Sequence, residues 1–324
     1  MRFLGRKWAT TYFKIKYFSL MKKQDTPPVK ISAIPQLHQL LGMPGPRHPL
    51  VSLVDNAEMN IARNNLVGHY IFDFYKISYK KSVSGRMGYG QGFYDFNEGG
   101  LVFTAPGQII YVADDAEYDG ASLLFHADFI RNSPLGQQIK KYGFFSYETH
   151  ESLFLSESEK TIMLGVMENI KHELAANIDD FSQDVLLSYI ELLLNYSNRF
   201  YRRQFITHKT VSHDLLTRMD QLLESYFGNE DTLNHGLPTV EYLAGQLSLS
   251  PRYLSDMLRS LTGLSAQQHI HEKLMEKAKQ YLAATTLSVA QIAYQLGFER
   301  PQSFNKLFKK KARVSPLEYR QTFN

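Results

Sequence analysis

Val240-Glu-Tyr-Leu-Ala-Gly-Gln-Leu247 and Val289-Ala-Gln-Ile-Ala-Tyr-Gln-Leu296 are two copies of one pattern, and their reading decides the fold of the C-terminal part of the chain. Val240, Ala244 and Leu247 recur as Val289, Ala293 and Leu296 at an offset of 49. Pro251, Leu254, Leu258 and Arg259 recur as Pro301, Phe304, Phe308 and Lys309 at an offset of 50. The one-residue slip falls in the turn, where an insertion leaves each helix in register. Each copy therefore reads as a short helix, a tight turn and a second helix. In the second copy Ser288-Val-Ala-Gln291 is a capping-box start, Ala293 permits close helix contact, and Gly297 supplies the turn. In the first, Ser250 and Pro251 open the second helix, because proline at the first helical position lacks only an N–H that has no intrahelical partner.

The outward faces of the two second helices are alike. Arg252, Ser255, Asp256 and Arg259 form one polar stripe, over Leu254, Met257, Leu258 and Leu261. Gln302, Asn305, Lys306 and Lys309 form the other, over Phe304, Leu307 and Phe308. Arg and Lys match the guanine O6 and N7 acceptors in the major groove, and Gln and Asn match adenine N6 and N7. Two solvated faces on a small helical domain are the alternative. Between the units, Ser265-Ala-Gln-Gln268 is another capping box, and Ile270, Leu274, Ala278, Tyr281 and Leu282 carry a helical stripe to Ala284. A helix of about twenty residues spans about 30 Å, close to the roughly 34 to 36 Å of one duplex turn.

Ile292-Ala-Tyr-Gln-Leu-Gly-Phe298, Ser303-Phe-Asn-Lys-Leu-Phe-Lys-Lys310 and Ser315-Pro-Leu-Glu-Tyr-Arg320 together resemble the C-terminal signature of AraC/XylS-type transcription regulators. The resemblance covers roughly residues 214–324. It implies that the helices from Pro251 and Pro301 enter successive major grooves. Base-reading positions would be Arg252, Ser255, Asp256 and Arg259 in the first unit and Gln302, Asn305 and Lys306 in the second. Ser250, Arg300, Lys309, Lys310 and Lys311 would meet phosphates. Asp256 departs from the basic or amide side chain of many members: it either accepts from cytosine N4 or repels phosphate. The second unit is therefore expected to bind more strongly. The partners so implied are double-stranded promoter DNA, a small-molecule effector, RNA polymerase and a second copy of the chain.

Charge agrees with that placement. From Pro238 to the end there are 12 Lys and Arg against 6 Asp and Glu, leaving 24 against 26 before it. The basic excess sits at the C-terminus and suits a polyanion, although Asp214 to Asp231 is itself acidic. The 324 residues, 44% apolar and 21% charged, have the make-up of two soluble globular domains. No stretch approaches a membrane span, and with no cysteine a reducing, cytoplasmic setting fits.

Residues Gly68 to about Phe129 read as β structure. His69-Tyr-Ile-Phe-Asp-Phe-Tyr-Lys-Ile-Ser-Tyr79 is aromatic and β-branched, and Gly88, Gly90 and Gly92 punctuate a turn region. Leu101-Val-Phe103 then precedes Pro106-Gly107 and Ile109-Ile-Tyr-Val112. Ile162, Val166, Ile170 and Leu174, then Leu186, Ile190, Leu193 and Tyr196, mark two amphipathic helices suited to a dimer surface. Glu98-Gly-Gly-Leu-Val-Phe-Thr-Ala-Pro-Gly107 is similar to the cupin-like sensory domains of the same family. The expected fold class is α+β, a cupin-like β-barrel with a helical appendage followed by an all-α double helix-turn-helix domain. The expected divisions are a basic aromatic tail at 1–24, outside the fold or upstream of a start at Met21, and the β domain at 25–155. The helical pair follows at 156–207 and the DNA-binding domain at 208–324, with the boundary in the polar stretch His208 to His213. Tyr70, Phe72, Phe74, Phe93, Tyr94 and Phe96 are candidate effector-pocket residues; strand alternation places about half of them inside and makes them equally suited to the core.

The rival function is a metal-dependent cupin enzyme, which wants two close histidines and a glutamate on neighbouring strands. His69 and His126 stand alone, and His269 and His271 lie two apart on the linker helix, where their side chains diverge. A DNA-repair methyltransferase, which shares a similar module, needs an acceptor cysteine that is missing. There is no phosphate loop of the Walker type and no nucleophile elbow. No enzyme activity, cofactor or metal is expected. A purely structural protein would leave the repeated polar stripes unexplained.

Overall fold

The computed structural model describes residues 27–55, 68–81, 87–89, 92–94, 99–112, 119–148, 151–177, 179–207, 209–228 and 231–323. The N-terminal tail and Phe96 lie outside them. In the N-terminal half β1 (Val29–Ile31), β3 (Gly68–Phe72) and β8 (Ile109–Val112) make a three-stranded sheet in the order β1-β3-β8. The larger sheet, in the order β10-β7-β4-β9-β2, is built from β2 (Val51–Asp55), β4 (Phe74–Lys80), β7 (Gly100–Thr104), β9 (Gly120–His126) and β10 (Leu153–Phe154). β5 (Met87–Tyr89) and β6 (Gly92–Tyr94) pair as a hairpin.

The barrel of the sequence reading takes a different form: among the described residues no strand pairing joins the two larger sheets. The reason lies at Asp73, the single residue between β3 and β4. Its N–H donates to the Ile31 carbonyl at 3.1 Å and its carboxylate pairs with Lys30 at 2.9 Å, which turns the chain from one sheet into the other. The sheets then pack face to face. Ile31, Tyr70 and Phe72 meet Val54, Phe74 and Leu124 in one apolar cluster, closed by Ile34 and Leu37 of α1 (Ile34–Leu40).

The opposite face of the larger sheet carries Val51, Ile77, Tyr79, Leu101, Phe103, Leu123 and Phe125, alternate residues of each strand. They pack on short helices α2 (Ala127–Ile130) and α3 (Pro134–Gln138), two 3-10 turns (Ile139–Lys141 and Gly143–Ser146), and the long helices α4 (Glu157–Ala175) and α5 (Ser182–Thr207). The two long helices fall where the 3.6 periodicity predicts. Ser156 and Glu159 cap α4 reciprocally, and Arg203 of α5 grips Glu159 through Nε at 3.0 Å and Nη2 at 2.6 Å. The same apolar cluster runs without interruption into the C-terminal domain.

Of the expected polar boundary at His208 to His213, residues 209–213 are helical. Only residue 208 separates α5 from α6 (Lys209–Gly228), whose Leu215, Met219, Leu223 and Phe227 are buried at helical spacing. The acidity of this segment has a structural use. Lys273 lies 3.4 Å from Asp220, 2.8 Å from Glu224 and 3.2 Å from Glu276, and Lys277 also pairs with Glu224. Asp220 and Glu224 thereby anchor the linker helix α10 (Ala266–Ala284), to which Glu276 itself belongs. The remaining helices are α7 (Asp231–His235), α8 (Val240–Leu247), α9 (Pro251–Thr262), α11 (Val289–Gln295), α12 (Pro301–Ala312) and α13 (Pro316–Gln321).

The repeat extends to backbone geometry. Ser248 and Gly297, 49 residues apart, both take the left-handed conformation after the first helix of their unit, at φ 57° and 88°. Serine is strained there and glycine is not. At Gly297 a Cβ would also lie 2.7 Å from the Gly236 carbonyl carbon and 3.0 Å from the Thr232 oxygen, so the second turn needs glycine twice over. Gly297→Ala should destabilise the fold by about 2 kcal/mol or more through combined strain and overlap, and so lower the melting temperature, whereas Ser248→Gly should be neutral or raise stability by up to about 1 kcal/mol. Thermal melts of both variants test the pair.

A pH series tests the α6–α10 contact. Hydrogen bonds from Lys273 and Lys277 hold the Glu224 carboxyl down to about 2. A depressed folded value stabilises above the ordinary glutamate range and loses that contribution as pH falls through the folded value. Glu224→Gln should therefore melt below the wild type at pH 7, with the gap closing between about pH 4.5 and pH 2; a gap independent of pH would refute the ion-pair account.

Candidate nucleic-acid interface

The second unit presents its polar stripe to solvent. Arg300 precedes α12, Pro301 occupies its first turn, and Phe304 and Phe308 are buried beneath it against Phe298 and Tyr319. Gln302, Ser303, Asn305, Lys306, Lys309, Lys310 and Lys311 are all exposed. Among the described residues no carboxylate lies within ion-pair distance of Arg300, Lys306, Lys309, Lys310 or Lys311, although, after the hydrogen bonds from Ser315, Lys309 is close enough to Glu318 to lower its carboxyl. Lys309, Lys310 and Lys311 also sit in the last turn of α12, where the helix dipole favours cations. Four side chains of hydrogen-bonding or cationic type thus stand on one helix face with phosphate-seeking charges beside them.

The first unit is arranged otherwise. Its α9 lies against the N-terminal half, with Tyr253 edge-on to Tyr147 and to Phe205 at 5.1 Å each. Glu151, 2% exposed, reaches the start of this helix: Oε1 accepts from the Ser250 backbone N–H at 2.7 Å and Oε2 from the Ser250 hydroxyl at 2.5 Å. The Glu148 N–H donates to the same carboxylate at 2.7 Å. Ser250, buried to 4%, caps α9 as expected, but its donors face protein rather than a phosphate in solvent.

Asp256 is equally committed. It accepts from the Tyr147 hydroxyl at 3.0 Å, from Arg252 Nε at 2.9 Å and from Arg259 Nη1 at 2.9 Å. Burial, followed by the Asp256 charge, pushes the Tyr147 phenol far above its ordinary range, so it stays a donor. Gly143 seals the contact, since a Cβ there would lie 2.2 Å from Asp256 Oδ2 and 2.6 Å from Arg252 Nε. Ser255 is half-buried, while Arg252 and Arg259 keep exposed surface. All four candidate readers share α9, but Asp256 draws the two arginines onto itself and faces the N-terminal half. Gly143, Tyr147, Glu151 and Tyr253 escape the sequence reading because their partners are about a hundred residues away and carry no local pattern.

Tyr70, Phe72 and Phe74 are 5%, 4% and 0% exposed and stack in series at 6.4 and 5.1 Å, as core. Phe93 and Tyr94 fall on β6, with side chains outside the described residues. His69 packs on Tyr111 and His126 caps α2. His269 contacts Thr262 and His271 contacts Gln267, so this pair diverges as expected.

A family model described as a helix-turn-helix domain matches residues 243–322. The HTH-type transcriptional activator RhaS of Salmonella paratyphi B is 32% identical over 117 residues, 33% of this chain and 42% of RhaS. Histidine kinase P4 of Formosa agariphila is 24% identical over 152 residues, 46% of this chain and 11% of the kinase. The solved C-terminal domain of AraT, a response regulator from Geobacillus stearothermophilus, is 33% identical over 33% of this chain and 84% of that one, with a TM-score of 0.30. The chain thus spans less than half the length of these two curated relatives. No helix among the described residues is long and apolar enough to cross a membrane. Residues 243–322 of this chain match a helix-turn-helix domain.

Proposed function

We propose that this chain is a sequence-specific DNA-binding transcription regulator whose N-terminal half, responding to a small-molecule effector, controls the first of its two reading helices. The observation that carries the reading is the contrast between the helices: α12 exposes amide and cationic side chains without carboxylate partners, whereas α9 is held by Glu151 and Tyr147 of the other half. The linker α10, at 19 residues, spans about 28 Å, within reach of adjacent grooves. The Glu151 carboxylate sits where the Ser250 donors at a helix N-terminus would otherwise take a DNA phosphate. Carboxylate and phosphate compete for the same two donors. A ligand that prefers the released arrangement would shift the population toward two-groove binding.

Gln302→Ala should reduce discrimination at one base position by about 1 to 3 kcal/mol, while Lys309→Ala should weaken every sequence alike and reduce the salt slope by roughly one phosphate. Titrations of the full chain against matched and mismatched duplexes over a salt series measure both. Equal loss on all sequences for Gln302→Ala would place the reading face elsewhere, and affinity with neither salt dependence nor a preferred sequence would sink the proposal.

Glu151→Ala strips the internal competitor. Losing a buried charged hydrogen-bond pair is worth about 1.5 to 3 kcal/mol, so two-groove DNA should bind roughly tenfold more tightly or better. A short duplex contacting only α12 should bind unchanged. Unchanged or weaker two-groove binding, with an intact melting transition, would mean that the docked α9 is not inhibited.

A further inference from the structure

The two units differ at a point where their backbones match. Ser248 and Gly297 hold the same left-handed turn, and Ser248 is exposed, so the turn alone does not demand glycine. Gly297 is different because another segment of the chain lies on it. A Cβ there would stand 2.7 Å from the Gly236 carbonyl carbon, 2.9 Å from its oxygen and 3.0 Å from the Thr232 oxygen. Two residues before this turn, the Gln295 carbonyl at the end of α11 accepts from the Thr232 hydroxyl at 2.9 Å. Thr232 is 3% exposed, so water does not compete for that bond.

The same segment leads straight into the first unit. After α7 the chain turns at Gly236, φ 76°, whose N–H donates to the Thr232 carbonyl at 3.0 Å, and Thr239 then caps α8 by accepting from the Tyr242 N–H at 3.0 Å. The stretch that opens the first unit thus rests on the turn of the second. Tyr226 of α6 braces it: the hydroxyl donates to the Gly236 carbonyl at 3.1 Å, and the ring stands edge-on to Tyr242 of α8 at 5.0 Å. Burial, followed by Tyr242 and Asp231, raises the Tyr226 phenol, so it stays a donor.

α10 sets the distance between the units, but a single rod fixes rotation about its own axis less firmly than distance. A second contact, made by a different segment, removes that freedom. Rotation matters because the duplex turns by about 34 to 36° per base pair, at 10 to 10.5 base pairs per turn. We propose that Thr232 and Tyr226 are spacing-determining residues: through the Gly236–Gly297 contact they fix the rotation of α12 relative to α9, and with it the number of base pairs between the two half-sites that one molecule reads at once. This role presupposes the reading of the chain as a two-helix DNA reader and places a specificity determinant outside both reading helices.

The test has a DNA-free arm and a binding arm, both on the full chain. Because the sequence has no cysteine, Gln246→Cys on α8 and Ser303→Cys on α12, both exposed, put one spin label on each unit. The distance distribution between the labels should be narrow in the parent. It should broaden in Thr232→Val, which removes the hydroxyl and keeps the shape, and in Tyr226→Phe. For binding, duplexes recovered from a random pool with the unlabelled Glu151→Ala chain, in which α9 is free, are remade with one base pair inserted or removed between the half-sites. The parent should lose about tenfold or more in affinity on that change. Thr232→Val and Tyr226→Phe should each cut the penalty to about threefold or less while binding a single half-site as the parent does. A brace that merely stabilises the fold would leave the penalty unchanged or weaken single and paired half-sites alike, and either result overturns the proposal while the two-helix reading stands. Label distributions equally narrow in all three chains overturn it as well. A parent that prefers no sequence brings down the two-helix reading itself, and the spacing role with it.

Discussion

Glu151 brings a carboxylate into a place almost without water, and the positive end of α9 makes that tolerable. Three donors, from Glu148 and twice from Ser250, replace its hydration, and the aligned peptide dipoles of α9 favour its charge. The segment that presents it is itself held by α5. Tyr201 donates to the Glu151 carbonyl at 2.9 Å, and the Gln204 amide bonds both the Ser152 carbonyl and the Phe154 N–H. The orientation of α9 is therefore set by a helix of the other half, through a few buried polar contacts inside a continuous apolar cluster. Polar contacts of this kind are directional and all-or-none, which is what an element with two discrete arrangements requires.

Local pairing, rather than net charge, decides which surface is free for a polyanion. Of the basic residues after Pro238, Lys273 and Lys277 pair with the acids of α6, and Arg252 and Arg259 share the single carboxylate of Asp256. Arg300, Lys306, Lys309, Lys310 and Lys311, none of them in an ion pair among the described residues, gather on and just before α12. Asp220 and Glu224 of α6 are instead committed to Lys273 and Lys277 of α10. The acidic stretch that counts against DNA binding in the sequence thus belongs to a different surface.

The C-terminal architecture was legible because its signals are local: capping boxes at Ser265 and Ser288, proline at the start of α9 and α12, and glycine at 297 each act within one turn of helix. The helices of the N-terminal half were legible from period alone. The sheets were only half legible. Aromatic and β-branched runs mark strands, but whether strands close into a barrel depends on single residues such as Asp73 that redirect the chain, and these leave no periodic trace. The docking of α9 was illegible, since Glu151 and Ser250 stand 99 residues apart and each looks ordinary in its own neighbourhood. Asp256 stands out in the sequence as an acid among candidate base readers, but neither role expected of it there, accepting from cytosine or repelling phosphate, is the contact with Tyr147 that the structure shows.

The rigidity of α10 links the fates of the two units. Nineteen helical residues, anchored on α6 through Lys273 and Lys277 and on α13, where Arg320 donates to the Leu282 carbonyl at 3.2 Å, leave α9 and α12 little freedom to move independently. A duplex lying on α12 and continuing toward α9 would meet Gly143 and Tyr147, which already occupy that face of α9. Two bodies cannot share one helix face, so under the proposed function the docked arrangement would admit DNA at one groove only. Engagement of a second groove would then require the contacts of Glu151 and Tyr147 to break together, and this joint requirement, rather than weakness of the first unit's own side chains, would make the two units unequal.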